Sequence, residues 1–257
     1  MTADGPEPWE TFFDERYLLT YPPLQPAERS RGEAVGAARL AGLAPGARLL
    51  DAPCGYGRHA MALAEAGYHT IGLDRSPTQV AEAQRRRGGA EWPRLVRADY
   101  RQVPFASGSF DGALNLLSSL GYLGDEGDRE VLGEFRRVLR PGGRLVIDTN
   151  HRDRLPRQAT AREWTALPDG AFLLSESRVD RVEGLVELTH TYLARGGMPQ
   201  ARTIRWRAYS ATELVSMLRA VGFVGVECYG NLDGHAFAAD TRLVLVARAP
   251  AMQEGRG

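Results

Sequence analysis

The 257 residues contain no lysine: all 32 basic side chains are arginine, and they are matched by 32 Asp and Glu. The bias toward one cation reads as a compositional habit of the source and marks no site. The formal net charge is zero. A chain built to grip a phosphate backbone usually carries a basic excess, so only a local basic patch is left open. Cysteine is scarce, with Cys54 and Cys228 alone. Two thiols are too few for a disulfide scaffold. Two reduced thiols fit a cytosolic protein, and the cytoplasm is the expected location. No cluster of Cys and His has metal-ligand spacing, so no metal is expected. No apolar run approaches the roughly 18 residues of a membrane span. The opening MTADGPEPWE lacks the basic and apolar stretches of a secretory signal. What is present is ordinary for a globular chain: 43% hydrophobic and 25% charged residues. That excludes a mostly disordered or fibrous protein and allows one sizeable core with a subdomain.

Residues 1–8 are polar and rich in Pro and Gly. Trp9, Phe12, Phe13, Tyr17 and Tyr21 then place five aromatics in thirteen residues. Such a stripe packs a helix onto a core or forms a lid over a pocket. A helix is expected from Glu28 to Leu40, ending before Gly42. Strand-like and helix-like segments then alternate for about 100 residues. The strands are Arg48–Ala52, Tyr68–Leu73, Arg94–Ala98, Phe110–Leu117 and Arg144–Asp148. The helices are His59–Ala66, a Ser76-Pro77-capped segment to Arg87, and Asp128–Leu139. Apolar strands between amphipathic helices imply a mostly parallel sheet covered on both faces. Between 155 and 208 the helical period vanishes. Phe172–Val179, Val186–Leu193 and Thr203–Tyr209 read as an antiparallel insertion. Ser210 and Glu213 form a capping box before the next helix, and Phe223–Tyr229 and Thr241–Ala247 are the last strands. The expected fold is α/β: a doubly wound, Rossmann-like, mostly parallel seven-stranded sheet with an antiparallel β insertion. The chain divides into an N-terminal helical lid or cap (1–40), a ligand-binding core (41–154), the insertion on the acceptor side (155–208), the C-terminal part of the core (209–250) and a tail (251–257).

The chemistry concentrates after the first strand, in Asp51-Ala52-Pro53-Cys54-Gly55-Tyr56-Gly57-Arg58-His59-Ala60. A strand runs into a turn with two close glycines and then a helix. Glycine is required where φ is positive or where a ligand approaches the backbone. Ligands of such sheets lie at the carboxyl ends of the strands. Asp74 ends the second strand, where a carboxylate accepts two hydrogen bonds from a ribose diol. Together these features point to an adenine nucleoside. Gly55-x-Gly57-x-x-Ala60 also satisfies the dinucleotide fingerprint, so spacing alone leaves NAD open. Cys54, with no acid–base partner nearby, reads as a small residue filling the turn.

Several motifs in order make the chain resemble the class I S-adenosylmethionine-dependent methyltransferases. The first motif of that family, an acid followed by x-G-x-G-x-G, is matched by residues 51–57, with Pro53 where the first glycine usually stands. Asp74 matches the acid after the second strand and Ala98-Asp99 the pair after the third. FDGALNLLSSLGYL resembles the fourth-strand motif, and RVLRPGGRLVID resembles the motif before the fifth strand. The likeness is strong over residues 40–150. It implies S-adenosyl-L-methionine as cofactor, S-adenosyl-L-homocysteine as product, and no metal. It implies that Pro53, Cys54, Gly55 and Gly57 pass under the methionine part. Asp51 and Arg58 then face its amino and carboxylate groups, and Asp74, Arg75 and Ser76 the ribose. Asp99 and Tyr100 meet the adenine, and Asn115 and Leu116 lie beside the transferable methyl.

The acceptor pocket is expected from Tyr17, Tyr21, Ser118, Ser119, Tyr122, Asn150 and His151. His151 and Tyr21 are the candidate catalytic groups, because histidine suits base work near neutral pH and tyrosines favour a cation near their faces. The expected activity is methyl transfer by direct displacement to an N or O atom of a small molecule, aided by alignment in dry, preorganised surroundings. Zero net charge makes a nucleic-acid partner unlikely, and a monomer or homodimer is expected. RDRLPRQATAR and ARTIRWRAYS are locally basic and keep an RNA acceptor as one alternative. A protein acceptor and a non-catalytic adenosyl-binding protein are the others.

Overall fold

The computed structural model describes residues 11–155 and 160–251. Trp9, the polar start and nearly all of the expected tail lie outside the described residues. Seven strands form the main sheet: β1 (Arg48–Asp51), β2 (His69–Asp74), β3 (Arg94–Arg97), β4 (Phe110–Asn115), β5 (Leu139–Thr149), β10 (Val224–Tyr229) and β11 (Leu243–Arg248). Their order is β3-β2-β1-β4-β5-β11-β10. Neighbours from β3 to β5 pair in parallel, whereas β11 runs against both β5 and β10. The order reverses between β1 and β4, which is where such a sheet opens a crevice.

Each central strand is apolar on both faces because each face meets helices. Leu50, Ile71, Leu145 and Ile147 pack with Val131, Leu132 and Phe135 of α5 (Gly124–Val138) and Leu214 and Leu218 of α6 (Ala211–Ala220). Their alternates Leu49, Leu114 and Val146 face the other way. There they meet the small side chains of α2 (Ala27–Leu40), which are Ala34, Ala37 and Ala38, and Leu63 of α3 (Arg58–Glu65). Small residues let α2 come close: a Cβ on Gly36 would lie 2.7 Å from the Leu232 carbonyl oxygen. The α4 helix (Pro77–Arg87) covers β2 and β3 and starts at the Ser76 cap.

The insertion has four strands, one more than the sequence suggests: β6 (Thr160–Ala166), β7 (Phe172–Asp180), β8 (Leu185–Leu193) and β9 (Gln200–Arg207), paired antiparallel in that order. TAREWTA of β6 shows no buried face because it is an outer strand, so it carries no period-two signal. The chain then returns to the core through α6. Ser210 Oγ accepts from the Glu213 amide, and the Glu213 carboxylate accepts from the Ser210 amide. Ser210→Ala is expected to cost about 1 kcal/mol of folding stability. Urea unfolding checks this, and an unchanged midpoint would show that the box contributes nothing.

Candidate functional site

A cavity of about 300 Å³ lies beyond the carboxyl ends of β1, β2 and β4. Pro53, Cys54 and Gly55 form part of its floor. Gly55 has φ +53°, and Gly57 has φ +80° and begins α3. A Cβ on Gly57 would sit 3.1 Å from both the Ala83 Cβ and the Met61 methyl, so this glycine lets α3 and α4 approach each other. It does not line the cavity. Asp74 does, and it also braces the turn: its two oxygens accept from the Gly55 amide at 2.8 Å and the Ser76 amide at 2.9 Å. Burial raises its pKa, and those amides offset part of the rise. A carboxylate oxygen accepts more than one hydrogen bond, so capacity for a diol remains.

Several buried polar atoms around this turn lack protein partners. They include both carboxylate oxygens of Asp51, Arg58 Nη2, Tyr56 OH and Gln79 Oε1. Burial pushes Asp51 up to about 7, and the Asp74 charge adds to the rise. The Arg58 charge and a weak approach of the Ala60 amide only partly oppose it. Arg58 spends Nη1 on Glu33 Oε2 at 2.6 Å and Ser30 Oγ at 3.1 Å. Burial would raise Glu33, but hydrogen bonds from His59, Arg29 and Arg58 and the Arg58 charge hold it well below the usual range. Unpartnered buried groups are costly, and the two ionic ones, Asp51 and Arg58, are each complementary to an opposite charge. A carboxylate without a cation and a guanidinium nitrogen without an anion fit the two ends of an amino acid. The residues present therefore fit the methionine part of the adenosyl cofactor.

The far side of the cavity is aromatic and apolar. Residues 11–21 run as a strap across it, including the short helix α1 (Glu15–Thr20), whose Asp14 cap accepts from the Arg16 and Tyr17 amides. The Phe13 carbonyl accepts from Ser76 Oγ and Gln79 Nε2 of the core. The Phe12 carbonyl accepts from Arg202 of β9 at 2.8 Å, and Arg202 also pairs with Asp14. The strap is thus tied to the core and to the insertion. It presents Phe12, Phe13, Tyr17 and Tyr21, with the two tyrosine rings stacked at 4.2 Å. Leu188, Ile204 and Trp206 of the insertion close the same chamber. Ser118, Ser119, Tyr122, Asn150 and Arg242 complete its polar end.

The expected site residues divide into those at the cavity and those away from it. Pro53, Cys54, Gly55, Arg58, Asp74, Tyr100 and Leu116 line the cofactor side, whereas Asp51, expected among them, is not a wall residue: it ends β1 almost fully buried behind the Pro53 turn. Burial raises the Cys54 thiol well above its usual value, consistent with a packing role. Asn115 is fully buried behind the wall, with its Nδ2 donating to the Ala52 carbonyl at 2.9 Å. Asp99 stands outside the cavity wall. Burial would raise it, but hydrogen bonds and charge from Arg101 prevail and lower it, and Arg75 lies 3.5 Å away. Arg75 and Ser76 are likewise not wall residues. His151 corrects an expectation. It is fully buried, its Nε2 lies 3.0 Å from the Thr241 carbonyl oxygen, and its ring packs on Phe237 at 5.1 Å. Asn150 faces the chamber, and in extended chain the next side chain points the opposite way. His151 therefore has no access to an acceptor. Tyr21 does face the chamber, but burial pushes its phenol up to about 12, so it stays protonated near neutral pH. Sequence reasoning missed Arg242 and Trp206, which reach the cavity through sheet pairing and carry no local motif.

Known proteins resemble this chain in sequence and in fold. Residues 49–143 match a family model described as a methyltransferase domain. A demethylmenaquinone methyltransferase of Clavibacter sepedonicus is 31% identical over 71% of this chain and 67% of its own length. One from Parafrankia sp. is 31% identical over 84% of this chain and 94% of its own length. Two other curated relatives are matched over only 42% of their length. Among solved structures, the CcbJ methyltransferase from Streptomyces caelestis superposes with a TM-score of 0.77 at 23% identity, covering 88% of this chain and 91% of that one.

Proposed function

The chain belongs to the class I S-adenosylmethionine-dependent methyltransferases, and we propose that it methylates an oxygen or nitrogen atom of a small molecule enclosed between its strap and its insertion sheet. The observation that carries this reading is the set of orphaned polar atoms at and just behind the wall of an aromatic chamber: Arg58 and Gln79 line it, the buried Asp51 lies behind the Pro53 turn, and Phe13, Tyr17, Tyr21 and Trp206 line the chamber as well. S-adenosylmethionine, when bound, supplies an electrophilic methyl carbon on a cationic sulfur, with a neutral thioether as leaving group. The residues do the rest. Asp51 neutralises the ammonium directly or through water, and the free nitrogen of Arg58 takes the carboxylate. Asp74 holds the ribose hydroxyls while keeping the Gly55 turn in place. Tyr100 and Leu116 wall the cofactor side, and the strap excludes water from the chamber. The relatives named demethylmenaquinone methyltransferases support a small acceptor.

Titration calorimetry with S-adenosylmethionine, S-adenosylhomocysteine and NAD tests the cofactor. The two adenosyl compounds are expected to bind and NAD is not, and the reverse order would sink the reading. Asp74→Ala is expected to weaken S-adenosylhomocysteine binding by about 1–3 kcal/mol, the cost of stripping a partner from buried polar groups. Undiminished affinity would remove Asp74 from the ribose. A screen of metabolite extracts with isotopically labelled methyl donor identifies the acceptor.

A further inference from the structure

The loop after β4 holds Leu117 and Ser118 in consecutive left-handed conformations, with φ 60° and 59°. That region is uncommon for residues bearing a Cβ and persists only where the surroundings enforce it. The end of β5 enforces it here. The Asp148 carbonyl accepts from the Ser118 amide at 2.9 Å, and its carboxylate accepts from the Leu117 amide at 3.3 Å. The same carboxylate takes Arg242 in a two-pronged ion pair at 2.6 and 2.9 Å.

This bracing settles what the Ser118 hydroxyl does. Its oxygen accepts from the Asn150 amide at 2.9 Å and from Arg242 Nη2 at 3.3 Å. A hydroxyl has two lone pairs and one proton, and both lone pairs are taken. Among the described residues no hydrogen bond uses the proton. Ser118 lines the cavity, so that proton is offered to a ligand. A guanidinium on its oxygen makes it a stronger donor.

We propose that Ser118 and Arg242 select an aromatic acceptor bearing an ionisable hydroxyl, a compound of the phenol class, and bind it as its oxyanion. The inference rests on the methyl-transfer reading and narrows its acceptor. Tyr17, Tyr21, Tyr122 and Trp206 line the chamber, and an aromatic lining suits an aromatic ring. The polar end presents a committed donor to whatever oxygen enters. Asp74 is the one carboxylate among the described lining residues, and it serves the cofactor side, so an ammonium finds no anionic partner in the chamber. Among the described residues, the charged and titratable groups around the loop and the chamber, besides Asp74, Cys54 and the tyrosines, are Arg242, Asp148, which balances it, Arg154, which donates to Asn150 Oδ1, Asp128, which accepts from the Gly121 amide at the far end of the loop, and Arg58 and His59, which line the cofactor side of the same cavity. Because Asp148 offsets Arg242, the site lowers the pKa of a hydroxyl modestly and does not demand a permanent anion. The phenol O–H bond breaks on binding, its proton goes to solvent, and the electron pair stays on the oxygen. No base residue is required. Arg242 acts through Ser118 and is a positioning residue.

The test uses the full chain saturated with S-adenosylhomocysteine and p-nitrophenol as probe, a phenol that ionises near neutrality and whose anion absorbs visible light. The bound probe is expected to titrate about one unit below the free probe, about tenfold more ionised at a given pH below its pKa. Nitrobenzene, which has no hydroxyl, is expected to bind at least about tenfold more weakly at pH 8, a difference of about 1.4 kcal/mol. Ser118→Ala should abolish the shift, and Arg242→Met should shrink it, with S-adenosylhomocysteine affinity held within about threefold in both. An unshifted probe, or nitrobenzene binding as tightly as nitrophenol, overturns the proposal without any variant. Failure of S-adenosylhomocysteine itself to bind overturns the underlying reading, and this proposal with it.

Discussion

Asp51→Asn is expected to weaken S-adenosylhomocysteine binding by about 1.5–3 kcal/mol, a factor of roughly 10 to 150, while making the ligand-free protein more stable above pH 7. The two effects have one cause. Asp51 is buried with no partner of good geometry, and its pKa is pushed up to about 7 by burial and by Asp74. In the unfolded chain it titrates near the ordinary value of 3.8. Between those values the folded state holds a proton that the unfolded state has released, so stability falls as pH rises through that window. Above about 7 the loss is complete. An amide carries no charge and escapes the loss, so the melting temperatures of variant and wild type should coincide near pH 4 and diverge by pH 8. Binding runs the other way. A ligand ammonium needs the carboxylate, so wild-type affinity should rise from pH 6 to pH 8, with about one proton released per ligand near pH 6. Calorimetry in buffers of different ionisation enthalpy counts that proton. Equal affinity of variant and wild type at pH 8 would show that Asp51 does not answer the ammonium.

The features that were legible in the sequence are those fixed by local chemistry. The turn from Pro53 to Gly57 and the Asp74 carboxylate declare themselves, because positive φ and a strand-end acid are written in adjacent residues. The parallel core is legible because β4 and β5 must be apolar on both faces. The capping box at Ser210 reads directly as Ser-x-x-Glu. Features that depend on pairing were not legible. Arg242 reaches the cavity because β11 pairs with β5 in a register that sets Leu243 against Thr149, which carries residue 242 alongside the strand end and its Asp148 partner. No spacing along the chain announces that neighbour. His151 follows the strand end as a base should, yet a one-residue alternation sends Asn150 inward and His151 into the core, against Phe237. The aromatic stripe from Phe12 to Tyr21 is visible as composition. Its role as a strap is set by Arg202, Ser76 and Gln79, which approach it from three distant elements.

Gly121→Ala is expected to cost about 3 kcal/mol or more of folding stability, or a fall of roughly 6–12 °C in Tm for a chain of this size. Gly121 has φ +115°, a conformation that strains any residue with a side chain. A Cβ there would lie 2.3 Å from the Arg207 carbonyl oxygen, a backbone atom that cannot rotate aside. Close approach is the function of the position. The Gly121 carbonyl accepts from the Arg207 amide at 2.8 Å, and its own amide donates to Asp128 Oδ1 at 3.2 Å. Asp128 Oδ2 accepts from the Tyr209 hydroxyl at 2.7 Å. These bonds join the loop after β4 to the end of β9, and so fix Ser118 and Tyr122 on one wall against Trp206 on the other. The alanine must either part that joint or distort the loop, and both outcomes loosen the chamber. The turn and carboxylate proposed for the cofactor's methionine and ribose are carried by β1, β2 and α3, away from the joint, and only Tyr100 and Leu116 of the cofactor side reach the loop after β4. Near 20 °C the variant should therefore hold S-adenosylhomocysteine within about threefold of wild type while losing affinity for p-nitrophenol about tenfold, a difference of about 1.4 kcal/mol. Calorimetric unfolding and the two ligand titrations read all three quantities. A Tm within 2 °C of wild type would mean that the joint yields without cost and that the insertion sheet is not held to the core through Gly121.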